Sequence, residues 1–216
     1  MKGETINGNS NKGLFITMEG VEGAGKSTLM PYVAEILSEA GNEVIQTREP
    51  GGTKTGEQIR NILLDSKNVR LTDDTELLLM FAARAQHIHE IINPALATGK
   101  IVLCDRFTDA SYAYQGGGRG IDSARIQILE DWVQQGLKPN LTLLFDLDVE
   151  TGLRRAGKRS EADRFEQEEV SFFERIRSCY LDRAKNEPER FRIIDSSQSF
   201  DNVKLQIRAI LKEYLC

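Results

Sequence analysis

A glycine-rich loop near the start of the chain carries the residues with the clearest potential for chemistry. Its sequence, Gly-Val-Glu-Gly-Ala-Gly-Lys-Ser-Thr, fits the phosphate-binding pattern G-x-x-x-x-G-K-[ST]. Glycines let backbone N–H groups converge on phosphate oxygens, Lys26 can reach the β- and γ-phosphates, and Ser27 can ligate Mg²⁺. A turn without a ligand is the alternative. The pattern predicts that a nucleoside triphosphate binds at Gly20, Val21, Glu22, Gly23, Ala24, Gly25, Lys26, Ser27 and Thr28.

Two further motifs follow apolar runs and contain arginine. Arg48 precedes a Pro-Gly-Gly turn, and Asp105-Arg106 directly follows the run Ile101–Cys104. The planar fork of a guanidinium group binds phosphate through two hydrogen bonds. Asp105 can hold Mg²⁺ directly or through water. A surface arginine beside a turn and an exposed ion pair at a strand end are the alternatives for these motifs.

A charged segment at about residues 152–167 predicts a mobile lid. Lys26 is the only cation of the phosphate-binding loop, so the loop alone supplies little charge to a transferred phosphoryl group. Cations that arrive from a closing lid can stabilise the negative charge that phosphoryl transfer spreads over oxygen atoms. A solvated helix face is the alternative. The cations of this segment are Arg154, Arg155, Lys158, Arg159 and Arg164.

A third set of residues can bind a base. Phe81 and Arg84 are spaced i, i+3 and therefore share a face of a predicted helix. The ring can stack on a base while Arg84 donates hydrogen bonds to a carbonyl edge, although an aromatic residue in a helix is more often part of the core. Tyr112, Tyr114 and Gln115 can line the same pocket.

The histidines supply no catalytic signal. His87 and His89 point to different faces of a helix, and the sequence has neither a Ser-His-Asp nor a Cys-His pattern. This absence fits a phosphate as the acceptor of a phosphoryl group, because a phosphate monoester with a second pKa of about 6 is already largely deprotonated. Such a reaction needs no general base and depends on positioning and charge.

Apolar runs alternate with helical patterns along the chain, which predicts a parallel sheet covered by helices on both faces. The motifs above follow the runs, where ligands of such sheets bind. The predicted strands are Leu14–Met18, Glu43–Thr47, Ile101–Cys104, Leu141–Leu147 and Phe191–Ile194. The predicted helices are Lys26–Ala40, Gly56–Asp65, Asp74–Thr98, Ser123–Gln135, Ser171–Lys185 and Phe200–Tyr214.

Composition limits the classes of partner. The chain has 216 residues, 40% of them hydrophobic, and a net charge of −5, which argues against a nucleic acid polymer or an anionic membrane as a partner. We expect one domain over residues 13–216 behind a disordered polar tail at 1–12. Three widely spaced cysteines and the lack of an apolar signal segment predict a reducing, cytoplasmic environment.

Taken together, the motifs resemble those of thymidylate kinases of the bacterial type, in which the lid supplies the arginine. The resemblance runs from about residue 13 to the C-terminus and includes Thr47–Thr53, Asp105–Phe107 and Ala113–Gly120 besides the loop. It implies a P-loop NTPase-like α/β fold with a five-stranded parallel sheet, helices on both faces and a short lid. It also implies Mg²⁺-dependent transfer of the γ-phosphoryl group of ATP to dTMP, giving ADP and dTDP in dTTP biosynthesis, by a homodimer.

The resemblance also implies roles for individual residues. The implied catalytic residues are Lys26, Arg106, Asp105 and a lid arginine, Arg159 first and Arg155 second. Ser27 and Asp105 would hold the metal. The implied dTMP-binding residues are Glu22 at the sugar 3′-hydroxyl, Arg48 and Arg106 at the phosphate, Phe81 and Arg84 at the base, Tyr114 at the 2′ position, and Ser111 and Gln115 near the base.

Two other functions remain open at this point. A related deoxynucleoside kinase must deprotonate a hydroxyl group, and Glu22 or Asp105 can serve as its base. A non-enzymatic nucleotide switch would bind ATP without a second anion site. Turnover of thymidine instead of dTMP would identify the former, and ATP binding without affinity for a monophosphate would identify the latter.

Overall fold

The computed structural model describes residues 13–65, 71–157 and 163–215. This part of the chain contains one sheet of five parallel strands in the order β2-β3-β1-β4-β5. The strands are β1 (Phe15–Glu19), β2 (Val44–Arg48), β3 (Ile101–Asp105), β4 (Leu141–Asp146) and β5 (Phe191–Asp195). All five predicted strands are confirmed, and each predicted bound either matches the observed one or differs from it by one residue.

The helices of the described residues cover both faces of this sheet. They are α1 (Lys26–Glu39), α2 (Lys54–Leu64), α3 (Asp73–His87), α4 (Asn93–Ala97), α5 (Thr108–Ser111), α6 (Ser123–Gln134), α7 (Val149–Ala156), α8 (Val170–Asn186) and α9 (Phe200–Leu215). The six predicted helical regions are recovered. Asp148 caps the start of α7, since its Oδ1 accepts from the Thr151 N–H at 2.9 Å.

The central strand β1 is buried along its whole length because helices pack on both sides of it. Successive side chains of a strand point to opposite faces. Ile16 and Met18 therefore belong to the large core cluster that includes Leu29 and other residues of α1, whereas Phe15 belongs to a second cluster with Ile92. Thr17, a polar residue inside β1, shares a 2.9 Å hydrogen bond with the hydroxyl of Thr142 on β4.

Two segments differ from the prediction. The predicted helix 74–98 is interrupted by a π-helical turn at Ile88–Ile92, which separates α3 from α4. Pro94 stands at the start of α4, where its missing N–H removes a backbone donor from the preceding turn.

The second difference is the glycine-containing stretch Tyr112–Gly118, which forms a π-helical segment although no helix was predicted there. It packs on α8 so closely that a Cβ on Gly118 would lie 2.5 Å from the Phe172 ring. These glycines therefore serve close packing between two helical elements.

Candidate active site

The carboxyl ends of three neighbouring strands bring the predicted motifs to one edge of the sheet. Met18 of β1 pairs with Asp105 of β3, and Arg48 of β2 pairs with the same Asp105. The phosphate-binding loop therefore begins beside the Asp105-Arg106 motif, as the sequence predicts for a parallel sheet.

The phosphate-binding loop leads directly into α1, which starts at Lys26. Gly25 precedes the helix with a φ of 97°, and its carbonyl accepts from the Leu29 N–H at 3.0 Å. Gly23 has a φ of 70° and approaches α7 so closely that a Cβ on it would lie 2.0 Å from the carbonyl oxygen of Gly152. The loop can adopt this path only with glycine at that position.

The side chain of Lys26 lies across the loop. Its Nζ donates to the carbonyl oxygens of Gly20 at 2.9 Å and Val21 at 3.0 Å. Burial, together with the positive charge of Arg106, lowers the pKa of Lys26 to about 8. The loop carbonyls therefore hold an ammonium group whose charge is easily lost and which an added polyanion would stabilise.

Ser27 and Asp105 form a small oxygen site beside Lys26. The Ser27 hydroxyl donates to Asp105 Oδ2 at 3.3 Å. Asp105 Oδ1 is buried and has no hydrogen-bond partner among the described residues. Hard oxygen ligands of this kind suit Mg²⁺, which keeps several waters and needs few protein ligands. The two residues therefore fit a magnesium ion, although no group of three or more potential metal ligands exists among the described residues.

A cavity lies next to the phosphate-binding loop, and we name it the acceptor cavity. Six of the eight residues predicted to bind the acceptor nucleotide line it: Glu22, Arg84, Arg106, Ser111, Tyr114 and Gln115. They come from the loop, from α3 and from the region that follows β3, so the fold gathers residues that are up to 93 positions apart in sequence. The other two, Phe81 and Arg48, lie elsewhere.

Arg106 joins the acceptor cavity to the phosphate-binding loop. Its backbone has a φ of 70°, and its Nη1 donates to the Gly20 carbonyl at 3.0 Å. Its Nη2 donates to Glu22 Oε1 at 2.8 Å, and the guanidinium lies 4.7 Å from the centre of the Tyr114 ring. The Tyr114 hydroxyl donates to the other Glu22 oxygen, and burial raises the pKa of Tyr114 well above its ordinary value, so it stays a donor.

Arg84, which also lines the acceptor cavity, has one donor without a hydrogen-bond partner among the described residues. Its Nε donates to Glu49 Oε2 at 2.8 Å, and its Nη2 donates to the Ser111 hydroxyl at 3.1 Å. Glu49 also contacts His87 through Oε1 and Nδ1 at 2.9 Å. Arg84 Nη1 is buried and has no hydrogen-bond partner in the described chain. The arginine therefore presents a fixed, unsatisfied donor, for which a ligand carbonyl is a suitable acceptor.

Phe81, which was predicted to stack on the base, does not line the acceptor cavity. Phe81 is 2% exposed and belongs to a core cluster with Leu77 and Tyr112. One face of its ring is covered by the guanidinium of Arg84 at 4.5 Å. The preceding residue, Met80, lines the acceptor cavity instead. Met80 is spaced i, i+4 from Arg84, a spacing that shares a helix face just as the i, i+3 spacing of Phe81 does.

Arg48 does not line the acceptor cavity either. Its side chain is 53% exposed and donates from Nη2 to both carboxylate oxygens of Glu57, at 3.0 and 2.9 Å. It lines a neighbouring groove together with Ser27 and Asp105. Contact with a ligand in the acceptor cavity would require the Arg48 side chain to leave Glu57.

Sequence reasoning missed several residues of the acceptor cavity. Glu49, Arg60, Met80 and Phe165 also line it. Arg60 donates from Nη1 to the Pro50 carbonyl at 2.9 Å, which fixes this α2 residue near the Pro-Gly-Gly turn. No local motif marks Arg60 or Phe165, whereas the i, i+4 spacing to Arg84 was a usable signal for Met80.

The predicted lid is described at its two ends. Arg159 and Lys158 lie outside the described residues. Arg155, near the end of α7, donates from Nη1 to the Ser196 carbonyl at 3.1 Å. Arg164 follows the gap and donates from Nη2 to Glu76 Oε2 at 2.6 Å. The second end of the predicted lid is thus attached to α3.

The two carboxylates that follow β4 have structural partners. Asp146 forms an ion pair with Arg177 at 2.7 Å, and Asp148 caps α7. Neither lines the acceptor cavity. No helix within residues 13–65, 71–157 and 163–215 has the length and apolar character needed to cross a membrane.

Comparison with known proteins identifies relatives over almost the whole chain. The family model described as thymidylate kinase matches residues 18–207. A thymidylate kinase of Pseudomonas syringae pv. tomato is 57% identical over 203 residues, which cover 94% of this chain and 97% of that protein. A thymidylate kinase of Alcanivorax borkumensis is 55% identical over 201 residues, covering 93% and 97%.

A solved structure agrees with these sequence matches. The crystal structure of thymidylate kinase from Ehrlichia chaffeensis superposes with a TM-score of 0.75 at 38% sequence identity, and the match covers 92% of this chain and 98% of that one. The five-stranded parallel sheet is thus the P-loop NTPase-like α/β fold that the resemblance implied. This chain therefore belongs to the thymidylate kinase family of ATP-dependent nucleoside monophosphate kinases.

Proposed function

We propose that this chain carries out the family reaction, transfer of the γ-phosphoryl group of ATP to dTMP to give ADP and dTDP, with ATP at residues 20–28 and dTMP in the acceptor cavity. One observation carries this assignment. Arg106 lines the acceptor cavity and also bonds to the Gly20 carbonyl of the phosphate-binding loop at 3.0 Å. A phosphate beside Arg106 would therefore lie next to the triphosphate site, as direct transfer requires.

On the donor side, the loop N–H groups and the start of α1 bind the phosphates of ATP. Lys26 supplies the positive charge of the loop, and its contacts with Gly20 and Val21 support a position beside the β- and γ-phosphates. Mg²⁺ is the proposed cofactor, held by Ser27 and Asp105. When bound, it would neutralise part of the charge on the ATP phosphates.

On the acceptor side, Arg106 binds the monophosphate and Arg60 adds a second cation at the cavity wall. Arg48 is proposed as a third, after release from Glu57. The Glu22 carboxylate accepts from the sugar 3′-hydroxyl, and the Tyr114 ring restricts space at the 2′ position. The contact between Tyr114 and Glu22 supports a common position for these two residues beside the sugar.

The base lies against Met80, whose thioether side chain offers a polarizable apolar surface. Arg84 Nη1, which is buried and unpaired, donates to a base carbonyl. Ser111 positions Arg84 through the 3.1 Å hydrogen bond, and Gln115 completes the edge of the pocket.

The chemistry requires positioning and charge stabilisation, and no base has to be supplied. The acceptor phosphate is already an anionic nucleophile near neutral pH. Lys26 and Arg106 offset the negative charge of the transferring group, and Arg159 from the lid is proposed to contact the same charge in the closed state. The lid at about 152–167 excludes water when it closes, which prevents hydrolysis of ATP.

We also propose that the chain forms a homodimer through an apolar surface on α3 and α6. Leu78 is 56% exposed, Ile128 66% and Trp132 74%. Leu78 and Ile128 line one shallow depression, and Trp132 follows Ile128 at i+4 on the same face of α6. Large exposed apolar surfaces mark association sites. A cytoplasmic location is proposed from the free thiols of Cys104 and Cys179.

A panel of phosphate acceptors with ATP and Mg²⁺ tests the proposed function. We expect turnover of dTMP and none of thymidine, measured by ADP formation. Turnover of thymidine alone would assign the chain to deoxynucleoside kinases. Calorimetry that detects ATP binding but no binding of dTMP would instead favour a nucleotide switch.

A further inference from the structure

Glu76 lies behind the acceptor cavity and contacts one of its walls. It belongs to α3, is 1% exposed and does not itself line the cavity. Its Oε1 accepts from Nε2 of Gln115 at 2.8 Å. Gln115 is also 1% exposed and does line the cavity. The carboxylate therefore touches a residue that faces the ligand without facing the ligand itself.

A carboxylate can only accept hydrogen bonds, whereas the amide of glutamine has a donor end and an acceptor end. Glu76 therefore binds the NH₂ end of Gln115 and leaves the carbonyl oxygen as the group available to a ligand. Within the described residues no donor bonds to that oxygen. Rotation of the amide by 180° would place two acceptors against each other in a buried site, which is costly.

The Glu76 carboxylate is itself held in place. Arg164 donates to its Oε2 at 2.6 Å, and Arg119 lies 3.3 Å from the same oxygen. Arg119 also pairs with Glu168. Arg119 Nε also donates to Oε1, at 3.4 Å, so the guanidinium groups contact both carboxylate oxygens and fix the carboxylate that orients the Gln115 amide.

Two residues that line the acceptor cavity thus have a group available to a base, an acceptor on Gln115 (Oε1) and an unpaired donor on Arg84 (Nη1). Thymine and uracil carry an N–H at N3 beside a carbonyl at C4, which complements this pair. Cytosine carries an unprotonated N3 beside an amino group, which places acceptor against acceptor and donor against donor. Buried mismatches of this kind discriminate far more strongly than a missing methyl group.

We infer that Glu76 is a specificity-determining residue, which makes the acceptor cavity select a pyrimidine with an N3–H by fixing the Gln115 amide. This inference rests on the proposed function, because it assumes that a pyrimidine monophosphate occupies the cavity. Glu76 acts through Gln115 and does not contact the base, so it is a positioning residue.

The test compares dTMP with 5-methyl-dCMP, which keeps the methyl group and changes only the hydrogen-bonding edge. Turnover of dTMP by the wild-type chain is measured first, and its absence would refute the proposed function. For the wild-type chain we expect a kcat/KM for dTMP at least about a hundredfold above that for 5-methyl-dCMP. Equal values for the two nucleotides would overturn the inference even if dTMP is a good substrate.

Glu76→Gln replaces the acceptor by an amide that can also donate, so Gln115 can turn. We expect the ratio of the two kcat/KM values to fall about tenfold in this variant, mainly through the KM values. Glu76→Asp keeps an acceptor and is expected to restore most of the ratio. Arg192→Lys, on the edge strand β5 and without contact to Glu76 or Gln115, is the control and is expected to leave the ratio unchanged.

A purely structural role for Glu76 gives a different result. The Glu76→Gln variant would then lose turnover of both nucleotides equally, with the ratio unchanged, and the inference would be wrong. If this variant does not fold, calorimetry on Gln115→Met decides instead, because this variant removes the amide that Glu76 is inferred to orient. A preference for dTMP over 5-methyl-dCMP that falls about tenfold would support the inference, and an unchanged preference would overturn it.

Discussion

The guanidinium of Arg106 donates to the carboxylate of Glu22 at 2.8 Å, and both side chains are largely buried. The residue proposed to bind the acceptor phosphate is thus paired with the residue proposed to bind the sugar. A phosphate that enters the cavity can share the guanidinium fork with Glu22 or displace it. When no phosphate is bound, the Glu22 carboxylate balances the buried positive charge of Arg106 beside the phosphate-binding loop.

Arg106→Lys tests whether the fork geometry matters. Lysine keeps the charge but cannot contact a phosphate, Glu22 and the Gly20 carbonyl at once. We expect kcat/KM for dTMP to fall about a hundredfold, measured by steady-state kinetics at saturating ATP. Arg192→Lys, on the edge strand β5, is the matched control and is expected to change little. An unchanged kcat/KM in Arg106→Lys would remove Arg106 from the phosphate site.

Met80 and Phe81 give a paired prediction because they are adjacent and differ in environment. Phe81→Ala leaves a cavity in the core, and we expect it to lower the free energy of unfolding by about 3–5 kcal/mol in urea titrations. Met80→Ala removes contact area with the base, and we expect it to raise KM for dTMP about tenfold with little loss of stability. The reverse pattern would return Phe81 to the role of stacking platform.

Binding of ATP is expected to take up protons above neutral pH. Burial, and next the charge of Arg106, lower the pKa of Lys26 to about 8, so a growing fraction is neutral as pH rises through this value. The phosphates of ATP stabilise the charged form and raise that pKa again. We therefore expect ATP affinity to fall above pH 8 with proton uptake on binding.

Calorimetry at pH 8.5 in two buffers of different ionisation enthalpy measures this uptake. Lys26→Arg, which stays charged, is expected to abolish the proton uptake that Lys26 contributes. Identical uptake in the variant would show that another group is responsible.

The free energy of unfolding is expected to depend on pH through the buried carboxyl group of Glu19. Its oxygens accept from the Phe107 N–H and the Tyr180 hydroxyl, both at 2.7 Å. Burial, and next the negative charge of Asp109, raise the pKa of Glu19 from 4.5 to about 8. The folded chain therefore holds a proton that the unfolded chain releases between these values, and this contribution to stability is lost as pH rises through that window.

Glu19→Gln cannot titrate, so we expect its free energy of unfolding to fall less between pH 5 and 8 than that of the wild-type chain. Urea titrations at one-unit intervals measure the two slopes. Parallel curves for the two proteins would contradict the prediction.

Two substitutions distinguish the proposed roles of the lid arginines Arg159 and Arg155. We expect Arg159→Ala to lower kcat about a hundredfold, because the phosphate-binding loop offers only Lys26 as a cation. Arg155→Ala is expected to have a smaller effect on kcat, since Arg155 bonds to the Ser196 carbonyl. A change confined to KM in Arg159→Ala would assign that arginine to ground-state binding.

The strands and the phosphate-binding loop could be predicted because their signals are local. A short apolar run and a fixed glycine spacing each report a backbone path directly. Arg60 and Phe165 could not be predicted, since only the packing of α2 and of the segment after α7 brings them to the cavity. Whether Met80 or Phe81 faces the acceptor cavity depends on how α3 is rotated about its axis relative to its neighbours. Both residues are apolar and suit either a core or a cavity position, so their types do not reveal this rotation.

The contact between Glu49 and His87 shows the same limit. The two residues are 38 positions apart, and the sequence offers no reason to connect them. In the structure His87 is fully buried and contacts Glu49, which in turn holds Arg84. From the sequence, His87 could be judged only as a metal ligand or a catalytic residue, and neither role fitted it.

The contact of Gly23 with Gly152 has a mechanical consequence. With no side chain on either residue, the main chain around the donor phosphates rests directly on the first turns of α7. Because α7 lies at the start of the predicted lid, we expect a shift of this helix to reach the proposed ATP site through the backbone contact. We therefore expect ATP binding and the position of α7 to be coupled, and an alanine at either glycine to push the loop and the helix apart.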